Sequence, residues 1–222
     1  RQLAQKGLGQ DVDLEAGILL IMEFGYPDCD PEVCRQALDS LAHQLEQKLD
    51  LNADPSQVVS TLTHLLFQQE HFRGNKKNYL DPDNSYINKV LENKTGLPIT
   101  LSILCVLVAS RLSLPIVGVG LPGHYIAKYN HPKNPVYFDP FHQGRLLTRA
   151  DCIQIMEQFG HPFEEIYLSQ STHQETLIRM MNNLIQVYQG SNETKKADTL
   201  SDYIKILMNP SKDPFSKNSR EI

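Results

Sequence analysis

The chain has 222 residues, enough for one buried core with a small extension, and its 41% hydrophobic and 21% charged content is that of an ordinary globular protein rather than a disordered, fibrous or membrane one. A formal net charge of -5 at pH 7 supplies no basic footprint for phosphate backbones or anionic lipid, so neither nucleic acid nor membrane is an expected partner. Its four cysteines, Cys29, Cys34, Cys105 and Cys152, are too few for a disulfide scaffold and show no CxxC or Cys/His spacing of a zinc site, so we expect a reducing cytosol, no metal and no cofactor.

In chain order, Leu14, Ile18, Ile21 and Met22 mark one face of a first helix that stops at Gly25-Tyr26-Pro27. Asp30-Pro31 supplies a cap and a first-turn proline for a second helix, striped by Val33, Ala37, Leu38, Leu41 and Leu45. Asp54-Pro55 repeats the device, with Gln57 at the capping-box position and Val58, Leu62, Leu65 and Leu66 behind it. Residues Phe72 to Asp83 lack periodicity and are rich in Gly, Asn, Asp and Pro, which predicts a surface loop; a short helix over Ser85 to Glu92 follows.

From Ile99 to Leu112 apolar residues fall on every face, the signature of a helix buried on all sides. The apolar run Leu97 to Leu107 is interrupted by Pro98, Thr100 and Ser102 and falls short of the roughly 20 residues a membrane span needs. Short β-rich pieces then predict an antiparallel sheet of three strands: Ile116 to Leu121, His124 to Tyr129 and Val136 to Asp139. Thr148 caps a helix over Arg149 to Phe159, and a linker runs to Thr172. A helical hairpin, Glu175 to Gln189 and Glu193 to Met208, turns at Gly190-Ser191-Asn192 and closes at Asn209-Pro210. The tail after Pro210, with Lys212, Asp213, Ser216, Lys217 and Asn218, reads as frayed or as the start of a further helix. The chain begins at Arg1 rather than Met, which leaves any upstream targeting peptide out of view.

Four local patterns carry a resemblance: Arg73-Gly74-Asn75; Asp83-Asn84-Ser85-Tyr86; Gly96-Leu97-Pro98-Ile99-Thr100-Leu101; and Pro122-Gly123-His124-Tyr125 followed by Tyr137-Phe138-Asp139-Pro140-Phe141. In this order they resemble the bacterial SirB-type transglutaminase-like family of the papain-like superfamily, whose members join such a core to tetratricopeptide repeats, with a related module in some eukaryotic F-box proteins. The resemblance implies an α+β papain-like fold, a buried helix on a small antiparallel sheet. It implies an N-terminal helical cap over residues 1–72, a core over 73–172, and a tetratricopeptide-like hairpin with its tail over 173–222.

Catalytic members of the superfamily carry a Gly-x-Cys motif at the start of the buried helix. Counting back from Leu112-Ser113-Leu114-Pro115 puts Pro98 where that cysteine would stand, and proline has no nucleophilic atom. His124 and Asp139 match the base and its orienting carboxylate, each placed on a strand or at a strand end. Without the thiol, the pair can be a buried polar pair, a ligand-binding group or a remnant of chemistry. Cys105 lies about two helical turns beyond the helix start, some 10 Å away, and is expected to be an inert core thiol. Cys29, Cys34 and Cys152 fall outside the motifs and are expected to be structural or surface thiols. Thr100 is the nearest hydroxyl, either a nucleophile or a cap for the buried helix. Arg73, Asn75, Tyr79, Asn84 and Ser85 either line a cleft over this helix start or pin their own loop. The resulting expectation is a non-catalytic module binding a protein or peptide. The alternatives are a hydrolase or acyltransferase with a non-cysteine nucleophile, and a scaffold presenting repeats.

Overall fold

Three capped helices open the fold. In the computed structural model, which describes residues 12–50 and 53–209, α1 spans Leu14–Gly25, α2 Pro31–Glu46 and α3 Pro55–Thr63. Each starts as its sequence requires. Asp13 accepts from the Ala16 amide and Asp30 from the Glu32 amide, while Asp54 and Gln57 exchange hydrogen bonds of 2.9 Å in a reciprocal capping box. Such a cap contributes about 1 kcal/mol. A π-helical turn, His64–Gln69, continues α3 and carries Leu65, Leu66 and Phe67 into the core.

The segment read as one long loop contains more order than its composition implies. Arg73–Gly74 forms a two-residue strand, β1, parallel to β2 (Thr95–Gly96), and Pro82–Ser85 forms a 3-10 turn capped by Asp81. The short helix α4 therefore runs over Ile87–Asn93, later than Ser85 to Glu92, and ends on Lys94 in the left-handed region at φ 57°. Pairs this short are set by tertiary partners and leave no periodicity to read.

Helix α5, Pro98–Ser110, is the central element, with Leu101, Leu104, Cys105 and Val108 wholly buried. It packs on a four-stranded antiparallel meander of order β3-β4-β5-β6: Ile116–Val119, Ile126–Tyr129, Val136–Asp139 and Arg145–Leu147. The fourth strand was not anticipated. It is three residues long and is set by the five-residue loop 140–144, where Gln143 and Gly144 both adopt positive φ and the Gly144 amide returns to the Asp139 carbonyl at 2.8 Å. The α+β class holds: helices cover a small antiparallel sheet.

Beyond the sheet, α6 (Arg149–Gln158) starts at a capping box between Thr148 and Asp151. Helices α7 (His173–Gly190) and α8 (Thr194–Met208) form the hairpin, and Thr172 with Glu175 caps α7 in a third such box. Leu177, Met180, Met181 and Leu184 of α7 join one apolar cluster with Ile18 and Met22 of α1 and with α5. The phenols of Tyr86 and Tyr188 meet at 2.6 Å inside it. No helix among the described residues is long and apolar enough to cross a membrane. The tail after Pro210 lies outside the described residues.

Candidate functional site at the start of the buried helix

Asp139 ends β5 and is the residue around which the site is built. Its side chain is 3% exposed. One carboxylate oxygen, Oδ1, accepts the backbone N–H groups of Phe141 at 3.0 Å and His142 at 3.3 Å, because Pro140–His142 turns as a 3-10 helix capped by Asp139 itself. The other, Oδ2, receives two imidazoles: His124 Nε2 at 2.8 Å and His142 Nδ1 at 2.8 Å. Burial alone raises the carboxyl's pKa and is the largest single influence. The hydrogen bonds and charges of His124 and His142 outweigh it, leaving Asp139 below its ordinary value.

His124 is buried and sits two residues ahead of β4, in the turn after Leu121, not on the strand itself as its motif implied. Its carbonyl accepts from Arg179 of α7 at 2.8 Å, so the hairpin fixes the backbone that carries the imidazole. With Nε2 committed to Asp139, Nδ1 has no protein hydrogen-bond partner among the described residues. Phe141 meets both imidazoles edge-on, at ring separations of 6.4 Å for His124 and 5.3 Å for His142, and Tyr79 stands edge-on to Phe141 at 5.9 Å. Gly74 makes room for this stack: a Cβ there would lie 2.5 Å from the Phe141 ring.

These groups border a cleft of about 510 Å³, walled by Pro98 at the first turn of α5, by Tyr79, His124, Asp139, Phe141 and His142, and by Arg145, Gln154 and Phe159. A larger hollow of about 670 Å³, bordered by Tyr26, Val33, Cys34 and Asn88, shares no wall with it and contains no imidazole.

The sequence-selected residues divide sharply. His124, Asp139 and Tyr79 reach the cleft. Asn75 and Asn84 do not; Asn75 donates to Asn84 at 2.9 Å, and Asn84 donates in turn to the Asn78 carbonyl at 2.7 Å, pinning the loop. Arg73 is exposed on β1, outside the cleft wall, and Ser85 is buried with its hydroxyl unpaired. Thr100 overturns the capping expectation. It is the third residue of α5, not its cap, which is Leu97, and its buried hydroxyl donates to the Asn84 carbonyl at 2.8 Å. That bond ties α5 to the pinned loop and occupies the hydroxyl proton.

Cys105 is fully buried, and desolvation pushes its thiol far above the ordinary range. Cys152 and Cys34 are also buried, each pushed up to about 11 chiefly by burial. Among the cleft residues the sequence does not single out are His142, Arg145, Asp151, Gln154 and Phe159. A histidine three residues after the motif aspartate, inside the turn that aspartate caps, was the available signal for the first.

Comparison with known proteins places these motifs in a family. A UPF0162 protein of Xylella fastidiosa is 29% identical over 205 residues, covering 90% of this chain and 73% of that protein. A UPF0162 protein of Pseudomonas aeruginosa is 29% identical over 182 residues, covering 81% and 66%. F-box only protein 21 of Mus musculus is 27% identical over 161 residues, which cover 69% of this chain and 25% of the mouse protein. No solved structure matches the chain. Residues 32–182, which run from α2 through the sheet and the cleft residues into α7, match the transglutaminase-like superfamily, and the chain belongs to it.

Proposed function

We propose that this is a non-catalytic member of the superfamily, of the SirB type, whose cleft binds an extended segment of a protein or peptide in the cytosol. The observation that carries this reading is the composition of one wall: Pro98, the residue at the position the resemblance gives to the nucleophile, shares the cleft with a hydrogen-bonded His124–Asp139 pair. A base and its orienting carboxylate accelerate acyl transfer only when a thiol or hydroxyl stands ready to be deprotonated. Thr100 does not line the cleft, and its hydroxyl donates to the Asn84 carbonyl rather than to His124, which favours the non-catalytic reading. What remains is a recognition surface. Tyr79, Phe141 and Phe159 offer apolar faces, and His142, Arg145, Asp151 and Gln154 offer polar groups to a backbone or side chain.

The relationship to F-box only protein 21, in which the matching region makes up a quarter of the protein, supports a module that can work within a longer chain. In this reading α7 and α8 are a tetratricopeptide-like unit that buttresses the cleft through Arg179.

The test is direct binding. The purified chain, immobilised, selects from a random peptide display library, and selected peptides are titrated by fluorescence anisotropy against wild type, Tyr79→Ala and His124→Ala. We expect at least a tenfold loss of affinity in both variants. Selected peptides that bind both variants as tightly as wild type, but lose binding on substitution of the exposed α8 residue Tyr203, would move recognition from the cleft to the hairpin.

A further inference from the structure

We infer that His124, Asp139 and His142 form a binding site for a divalent first-row transition-metal ion such as zinc. Their ligand atoms, His124 Nε2, Asp139 Oδ2 and His142 Nδ1, all lie within 4.8 Å of one another. Two imidazoles converge on a single carboxylate oxygen, each at 2.8 Å. Ligand atoms held at about 2.0–2.2 Å from one ion are roughly 3–4 Å apart, so the ion needs a ring movement on the order of an ångström. His142, at 47% exposure, is free to make it and leaves an entry path, whereas Asp139 and His124 are held in place.

Asp139 and the backbone of His124 carry outer support of the kind a metal ligand set uses. Asp139 Oδ1 is already fixed by the Phe141 and His142 amides, which aims Oδ2 without consuming it, and the backbone beneath His124 is anchored by Arg179. The Phe141 ring against both imidazoles gives the site an apolar wall. Two imidazoles and one carboxylate are a donor set for zinc, iron(II) or nickel, and are poor for calcium or magnesium, which take all-oxygen sites. The cleft side supplies open coordination positions, where Pro98 puts no donor side chain.

No spacing rule reveals this set, because His124 precedes β4 while Asp139 ends β5 and His142 lies in the turn after it. Binding would exchange the two N–H···O bonds for metal bonds. Each ring nitrogen gives up its proton, which passes to the other nitrogen of that ring or to solvent, and no electron is transferred. The inference is independent of whether a peptide occupies the cleft.

The experiment uses the full chain, freed of metal by dialysis against a chelator. Zinc is titrated in competition with a chromophoric chelator, and cobalt(II) is added separately for its visible d–d absorption. We expect one zinc per chain, a zinc-dependent rise in melting temperature, and a d–d spectrum of low coordination number. His142→Ala, a change at an exposed residue, should keep the fold by circular dichroism and weaken zinc binding at least tenfold. Asp139→Asn should do the same where it folds. Zinc binding of equal strength in His142→Ala, or binding well below one ion per chain in wild type, would overturn the site.

Discussion

Asp139 concentrates more interactions in one side chain than any neighbour in the cleft, and its ionisation links the site to stability. Because the native carboxyl titrates below its unfolded value of about 4, the unfolded chain binds the proton more readily in acid. The stabilisation is therefore complete above about pH 4 and lost as pH falls through the lower native value. Asp139→Asn removes it, so the gap in melting temperature between wild type and variant should be widest near neutrality, where breaking the buried pair costs on the order of 3 kcal/mol, and should narrow below about pH 4. A gap that stays constant across an acid series of thermal melts would show that the carboxylate's charge is not the source. At the same scale, iodoacetamide with peptide mass mapping should leave Cys105 unlabelled in the native protein, since only the thiolate reacts and this one is both buried and hard to ionise. Pro98→Cys should instead create a rapidly labelled thiol, facing the cleft at the start of α5 beside His124. These residues differ in how legible they were. His124 and Asp139 were visible through motifs that keep their order along the chain. His142 left only its local spacing three residues after Asp139, Arg179 acts through a distance closed by folding, and the hydroxyl of Thr100 found its acceptor 16 residues back in sequence.

Elements with strong local grammar were readable, and those defined by a partner were not. Capped helices such as α2 and α3 announced themselves through Asp-Pro at the start, and α5 through apolar residues on every face. By contrast, β1, β2 and β6 are two, two and three residues long, too short for alternation to register. Their order comes from neighbours. Gly74 in β1 is the test case, because its missing side chain is what lets Phe141 cross the strand and face the two imidazoles. Gly74→Ala would press a methyl group into that ring at 2.5 Å and must push Phe141 or β1 aside. The expected cost is about 1–3 kcal/mol in urea unfolding, with altered ring-current shifts of the His124 and His142 protons by NMR. Unchanged shifts with full stability would mean that Phe141 moves freely and does not hold the site.

At the scale of the whole molecule, the question is whether the C-terminal hairpin is an appended unit beginning at residue 173 or part of the core. The sequence favours the first view, since α7 and α8 read as a self-contained pair with a Gly-Ser-Asn turn. The packing argues for dependence. Leu177, Met180, Met181 and Leu184 are each no more than 4% exposed, in one apolar cluster with α1 and α5, and Leu177 presses against Gly17 so closely that a Cβ there would stand 2.4 Å from it. At about 1.5–3 kcal/mol per buried large apolar side chain, these four represent on the order of 8 kcal/mol, comparable to the roughly 5–15 kcal/mol that holds a domain together. Tyr86 would also lose its partner Tyr188, and the His124 carbonyl its Arg179 donor. Deleting residues 173–222 should therefore abolish the cooperative thermal transition and expose a surface that binds a hydrophobic dye such as ANS. A truncated chain that melts cooperatively within a few degrees of the full-length protein would establish the hairpin as separable, and would require residues 12–172 to hold the His124 turn without Arg179.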